Sequence, residues 1–237
     1  MEERALEIRI DPRKVASSLM TIAIVLVVAH IAGAVSSHVF HREQVFGLVD
    51  TFDMNVENNV PTFFSAFILV TSAVLLTVIT SQSAADRYAG HWKWLVIIFA
   101  FMAIDEDAAL HELLIEPVRD LLPVAGPLYF AWVIPYGLAV LVIGVLYLRF
   151  VWSLTARTRG LFIGAGSLYL AGALGIESIG GWYFSLHGEI EDLPYSLLVA
   201  TEEFLEMSGI ILFIYALLDY LRDRLAGQPL RIFMART

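Results

Sequence analysis

Three acids stand in a row in "AIDEDAALHELLIEP", residues 103–117: Asp105, Glu106 and Asp107, followed by His111 and Glu112. A second group, Glu202, Glu203 and Glu206, lies far along the chain in "TEEFLEMSG", and Glu177 sits alone in "GALGIESIGGWY". Carboxylate oxygens with an imidazole are a donor set for divalent cations, and acids contributed by several helices are how dinuclear metal sites are built inside helical bundles. Ionisable groups of this kind inside a membrane also mark proton or cation routes. The chain has no cysteine, which removes thiolate ligands, disulfides and cysteine nucleophiles. His, Asp and Glu are the ligand chemistry that is left.

These acids carry information because of what surrounds them. "WLVIIFAFMAI" runs directly into Asp105 and reads as a segment entering a bilayer. The 237-residue chain is 58% hydrophobic and 16% charged, with a mean hydropathy of +0.73, a profile of polytopic membrane proteins. A net charge of −9 and the lack of any Lys/Arg-rich run exclude a nucleic-acid partner. The partners to expect are membrane lipids.

Six stretches are long enough to cross about 30 Å of hydrocarbon at about 1.5 Å per residue. They are residues 15–40, 60–80, 94–116, 128–148, 161–184 and 193–218. The expected fold is all-α: a six-helix transmembrane bundle over residues 15–220, between tails at 1–14 and 221–237. The N-terminus imitates a secretion signal, with Ala32-Gly33-Ala34 as a cleavage-like site, but its leading segment is long and carries four acids, so the first stretch reads as a span. Of the 15 Lys and Arg, all but Arg42 and Arg119 fall in the tails and alternate connections on one side, which predicts that both termini are cytoplasmic.

That orientation brings every acid named above toward the outer half of the membrane. On a continuous third helix Asp105 and Glu112, seven apart, would share a face, and Asp107 and His111 another. Glu202, Glu203 and Glu206 span one arc of the sixth. Eight acids then lie in or near the spans. A mid-membrane acid costs roughly 2.5–3.5 kcal/mol on insertion scales. Discounted to about 1–2 kcal/mol each, the sum approaches ~10 kcal/mol, a protein's whole stability. No Lys or Arg in the outer half of any span offsets it. Bound protons, water in a cavity or metal cations remain.

The reading favoured by this balance is a metal-dependent enzyme acting on a lipid or small apolar molecule. Glu106, His111, Glu112, Glu177, Glu203 and Glu206 are the expected ligands, Asp105 and Glu202 bridge or support them, and Glu106, Glu112 and Glu206 are the catalytic candidates. Carboxylate-rich ligation favours iron or manganese over zinc, and an oxidative reaction over hydrolysis. His38, His41, Asp53 and Glu57 are rim candidates, while His30, alone in mid-span, reads as a core hydrogen bond to a carbonyl. "HELLI" lacks the second histidine of a zinc-protease helix, and no G-x-S-x-G nucleophile occurs. A proton or divalent-cation transporter and a structural subunit with an inert wet vestibule are the alternatives.

Two further stretches concern architecture. "FDMNVENNVPTFFSAF" places Asn59 before Pro61 as a helix start. "GLFIGAGSLYLAGALGIESIGG" is rich in Gly and Ala inside a span, so it suits close helix packing and excludes a phosphate loop. Pro135 is expected to kink the fourth span. The set "FDMNVENNVPTFFSAF", "IDEDAALHE", "GALGIESIGGWY" and "LLVATEEFLEMSGIILFIYALL" resembles a group of bacterial multi-pass membrane proteins of unassigned function, over the second, third, fifth and sixth spans. The resemblance implies a bacterial cytoplasmic (inner) membrane and no particular activity.

Overall fold

The computed structural model describes residues 6–8, 10–42, 47–83, 86–225 and 230–232. Arg4, Arg9 and Arg236, which contribute to the charge bias of the tails, lie outside the described residues.

Helix starts follow from local chemistry. Asp11 caps α1 (Pro12–His38), its carboxylate accepting the Arg13 and Lys14 N–H groups, with Pro12 in the first turn. Asn59 caps α3 (Val60–Gln82) through the Thr62 N–H at 3.2 Å, the start expected from the sequence. Between them lies the short α2 (Leu48–Phe52). α4 (Ala89–Ala108) follows, then a 3-10 turn at Glu112–Leu114, α5 (Ile115–Leu121) and a second 3-10 turn at Gly126–Leu128. α6 (Val133–Ser153) returns, and α7 (Ala156–Leu170) continues through a π-helical turn, Ala171–Ile176, into α8 (Glu177–Leu186). The last and longest helix is α9 (Leu193–Arg224).

Among the described residues, five helical stretches are long and apolar enough to cross a membrane: Pro12–His38, Val60–Gln82, Val133–Ser153, Ala156–Leu186 and Leu193–Arg224. α4 is long enough as well, but it carries His91, Lys93 and the three consecutive acids, so its composition differs from that of an ordinary span.

α9 is the central element. It packs against α1, α3, α7 and α8, and residues from Met207 to Leu221 are buried on several faces. One apolar cluster gathers Leu26, Phe64, Ile68, Met207, Ile211 and Ile214. A second, nearer the helix ends on the opposite side, gathers Leu76, Ile79, Trp92, Phe150, Phe213 and Leu217. Asp219, 2% exposed, closes that end by accepting from Arg157 Nε at 2.6 Å and Arg222 at 2.5 Å. The Gly/Ala-rich stretch packs as its composition suggests. A Cβ on Gly172 would stand 2.7 Å from the Glu202 carbonyl oxygen, and one on Gly209 would stand 2.7 Å from the Tyr169 nitrogen. α7 and α9 therefore cross almost backbone to backbone.

Two short segments far apart in sequence pair. Residues Leu6–Ile8 (β1) and Leu230–Ile232 (β2) form an antiparallel ladder, Leu6 opposite Ile232.

The start of α9 gives a first test. Asp192 caps it, accepting the Tyr195 N–H at 3.0 Å and the Tyr183 hydroxyl at 2.7 Å. Burial alone would raise this carboxyl, but those two donors outweigh it and hold it below its ordinary value. A depressed folded pKa contributes stability above the unfolded value of about 4 and loses it as pH falls through the lower folded value. Asp192→Ala is expected to cost about 1 kcal/mol at neutral pH. Thermal unfolding in detergent across acid pH checks this, because the wild-type advantage must shrink below pH ~4.

Candidate functional site

α4 does not continue through His111. It ends at Ala108, Ala109 takes a left-handed conformation at φ 46°, and the chain folds back so that the His111 N–H donates to Asp105 Oδ1 at 2.8 Å. The expected pairing of Asp105 with Glu112 and of Asp107 with His111 on helical faces is therefore corrected. Asp107 is exposed, and His111 and Glu112 are returned toward the bundle by a turn. Asp105 holds that turn and also accepts the Tyr136 hydroxyl at 3.0 Å. Pro135 is corrected too, because it stands in the first turn of α6, where its missing N–H costs nothing and no kink is required.

The outcome is a cavity of about 760 Å³ between α4, α6, the α7–α8 pair and α9. Asp105, Glu106, His111, Glu112, Glu177, Glu202, Glu203 and Glu206 all line it, and Glu57 joins them from the loop before α3. Burial holds the Glu57 carboxyl above its ordinary value, with nearby Glu112 adding to the shift and His111 opposing it. Counting Glu191 of the loop before α9, nine carboxyl groups line one space, with a single histidine and no Lys or Arg among the lining residues.

Several of these acids are positioned by local features. The π turn inserts one extra residue into a helical ladder immediately before Glu177, and such an insertion rotates the side chains beyond it about the helix axis. Glu177 Oε1 accepts Trp132 Nε1–H at 2.8 Å. The Gly172 crossing allows Glu202 and Glu206 to sit directly beside α7. The buried Ser65 hydroxyl has no hydrogen-bond partner of normal geometry among the described residues and neighbours Glu106. The other end of the cavity is apolar, with Trp94, Ile97, Ile98 and Phe101 of α4 facing Ala139, Val140 and Ile143 of α6.

The rim candidates separate. Glu57 joins the cavity, whereas Asp53 and His38 line a small void of about 40 Å³ together with His30 and Ser196. His41 is exposed and lines neither space. His30 has a structural role: its Nδ1 accepts the Met54 N–H at 3.0 Å, so the proton sits on Nε2, which donates to the Ser196 carbonyl at 3.0 Å. With Nδ1 occupied as an acceptor, Asp53 at 3.3 Å is a neighbour of the ring and not its hydrogen-bond partner. His30 thus ties α1 to the loop before α3 and to α9, the carbonyl bond expected of it.

Trp132, Tyr136, Tyr169, Tyr195 and Ser65 are polar groups at or beside the cavity that sequence reasoning missed. Tyr and Trp in a membrane sequence read first as interfacial anchors, and only the fold separates these from true anchors. Among the described residues, no three His, Asp or Glu side chains converge as a group that could hold a metal ion.

Long apolar helices around an acid-lined cavity define a helical membrane protein of the multi-pass class. The chain belongs to the DUF8692 family, a domain of unknown function, whose family model matches residues 19–221. No curated protein and no solved structure matches it.

Proposed function

We propose that the protein crosses a bacterial cytoplasmic membrane six times, with both termini cytoplasmic. In this reading its outer-leaflet cavity binds one or two divalent cations and serves a metal-dependent reaction on a lipid or small apolar molecule. The observation that carries the reading is the union, in one cavity, of nine carboxyl groups with an apolar arm. The acids call for cations that the chain itself does not supply, and the arm calls for a hydrocarbon.

The donors do not form a preformed cage, since no three converge among the described residues. Support for a cation therefore comes from charge balance, and no reaction step is assigned to the ion. An oxygen-rich donor set with one imidazole suits iron or manganese better than zinc. What this chain's residues do is hold the cluster in place. Trp132 orients Glu177, Tyr136 and the His111 N–H orient Asp105, and the α7–α9 crossing fixes Glu202 and Glu206. Transport of protons or cations across the membrane is the weaker reading, because the arm beyond the acids is lined by Trp94, Ile97, Ile98 and Phe101 and offers no relay.

Elemental analysis of protein purified gently from its host, combined with calorimetric titration of the stripped protein with manganese, ferrous iron and zinc, tests the proposal. One or two equivalents per chain are expected. No metal on isolation and no binding of any of the three would overturn it.

A further inference from the structure

α6 is held at its two ends and stands free between them. At one end Trp132 and Tyr136 donate to Glu177 and Asp105. At the other, the Tyr147 hydroxyl donates to the His91 carbonyl at 2.9 Å, and Phe150, the one buried residue of α6, stacks on the His91 ring. Tyr136 and Tyr147 are eleven residues apart, or about 16 Å along the helix. That is close to half of a hydrocarbon core about 30 Å thick, the depth of a single leaflet. Along this interval α6 makes little contact with α4. Trp94, Ile97 and Phe101 of α4 line the cavity and yet are 61%, 53% and 47% exposed. Ala139, the facing residue of α6, is exposed as well. Side chains that wall an internal space and also meet the surroundings mark an opening, and this one faces sideways.

We propose that the cavity is loaded laterally from the bilayer, through the window between α4 and α6, by a single-chain amphiphile whose head group is uncharged or cationic. The hydrocarbon chain lies along the window and the head lies among the carboxylates. The length of the opening matches an acyl chain lying along it, and a cavity of about 760 Å³ has room for one such chain and its head. The lining sets the charge of the head. Whether its nine carboxyl groups are ionised or protonated, the lining holds no Lys or Arg, so an anionic head finds no basic side chain there to pair with. This inference names the molecule that the proposed reaction would act on, and it rests on that reading only for the reaction itself.

The test uses the full chain in phosphatidylcholine vesicles with a monoacylglycerol carrying a diazirine in its acyl chain. After illumination, adducts are mapped by peptide mass spectrometry. Labelling is expected within residues 94–105 and 136–147. Unlabelled monoacylglycerol should displace it at least about tenfold more effectively than the fatty acid of equal chain length. Ala139→Trp and Val140→Trp, both filling the window, should remove the displaceable labelling. Labelling that excess monoacylglycerol does not displace reports bulk lipid contact and overturns the proposal, as does equal displacement by the fatty acid. Displaceable labelling that survives both substitutions also overturns it. Should either variant unfold, displacement on the wild-type protein decides. Calorimetric cation binding by the same wild-type protein is a separate readout, so displaceable labelling without metal binding would refute the metal reading and leave the lateral window standing.

Discussion

Gly209→Ala lowers the thermal unfolding midpoint in detergent by about 5–10 °C, the effect of about 2–3 kcal/mol of overpacking in a domain of this size. The expectation rests on what a methyl group would meet. Tyr169 N lies at 2.7 Å and Ala165 O at 2.8 Å, both backbone atoms of α7 that have no rotamer to change. α7 must move bodily away from α9, and α9 is the element on which most of the bundle packs. Gly172→Ala, nearer the cavity, meets the Glu202 carbonyl at 2.7 Å and Glu206 Cγ at 2.8 Å. It is expected to lower the midpoint similarly and to weaken cation binding as well, because it displaces two of the acids. Differential scanning fluorimetry together with manganese titration separates the two variants. An unchanged midpoint for Gly209→Ala would mean that the helices are not in contact at that level.

Glu206→Gln produces the opposite pattern. The side chain keeps its size and loses the ability to present an anionic oxygen to a cation, in a space shared with Glu203, Glu106 and Tyr169. Divalent-cation affinity is expected to fall by about a hundredfold, in the range by which losing even a group that only supports a ligand weakens metal sites. The unfolding midpoint measured in chelator is expected not to fall, since an acid in a membrane interior is a liability unless a cation answers it. Stability retained while binding is lost is the signature of a group kept for function. Calorimetry and unfolding on one preparation give both numbers. Unchanged affinity with a lowered midpoint would make Glu206 a structural residue and remove the central support for the cation reading.

The sequence made the long helices and the acid cluster legible, and for one reason. Apolar runs of span length and acids inside them are both rare, so each stands out without any knowledge of contacts. The Asn59 start and the close packing of the Gly/Ala stretch were legible because each depends on neighbours within a few residues or on residue size alone, and a carbonyl bond for His30 followed from a lone imidazole in mid-span, although its partner, Ser196, is distant in sequence. The end of α4 was not. Nothing in "DEDAALHE" forbids a continued helix, and the break depends on a left-handed Ala109 that Asp105 stabilises by accepting the His111 N–H. The π turn before Glu177 was equally hidden, since its alanines and glycines suit several helical windings. The roles of Trp132 and Tyr136 arise from the start of α6 standing against Glu177 and the C-terminal end of α4, a relation between distant segments that no local pattern encodes.

The ladder between Leu6–Ile8 and Leu230–Ile232 has a practical consequence. A thread tied to itself a little way in from either tip brings those two stretches to one side. Reporter enzymes fused to the head and to the tail should therefore light up in one and the same compartment, and a ring made by splicing tail to head should leave the path of the polypeptide through the bilayer unaltered.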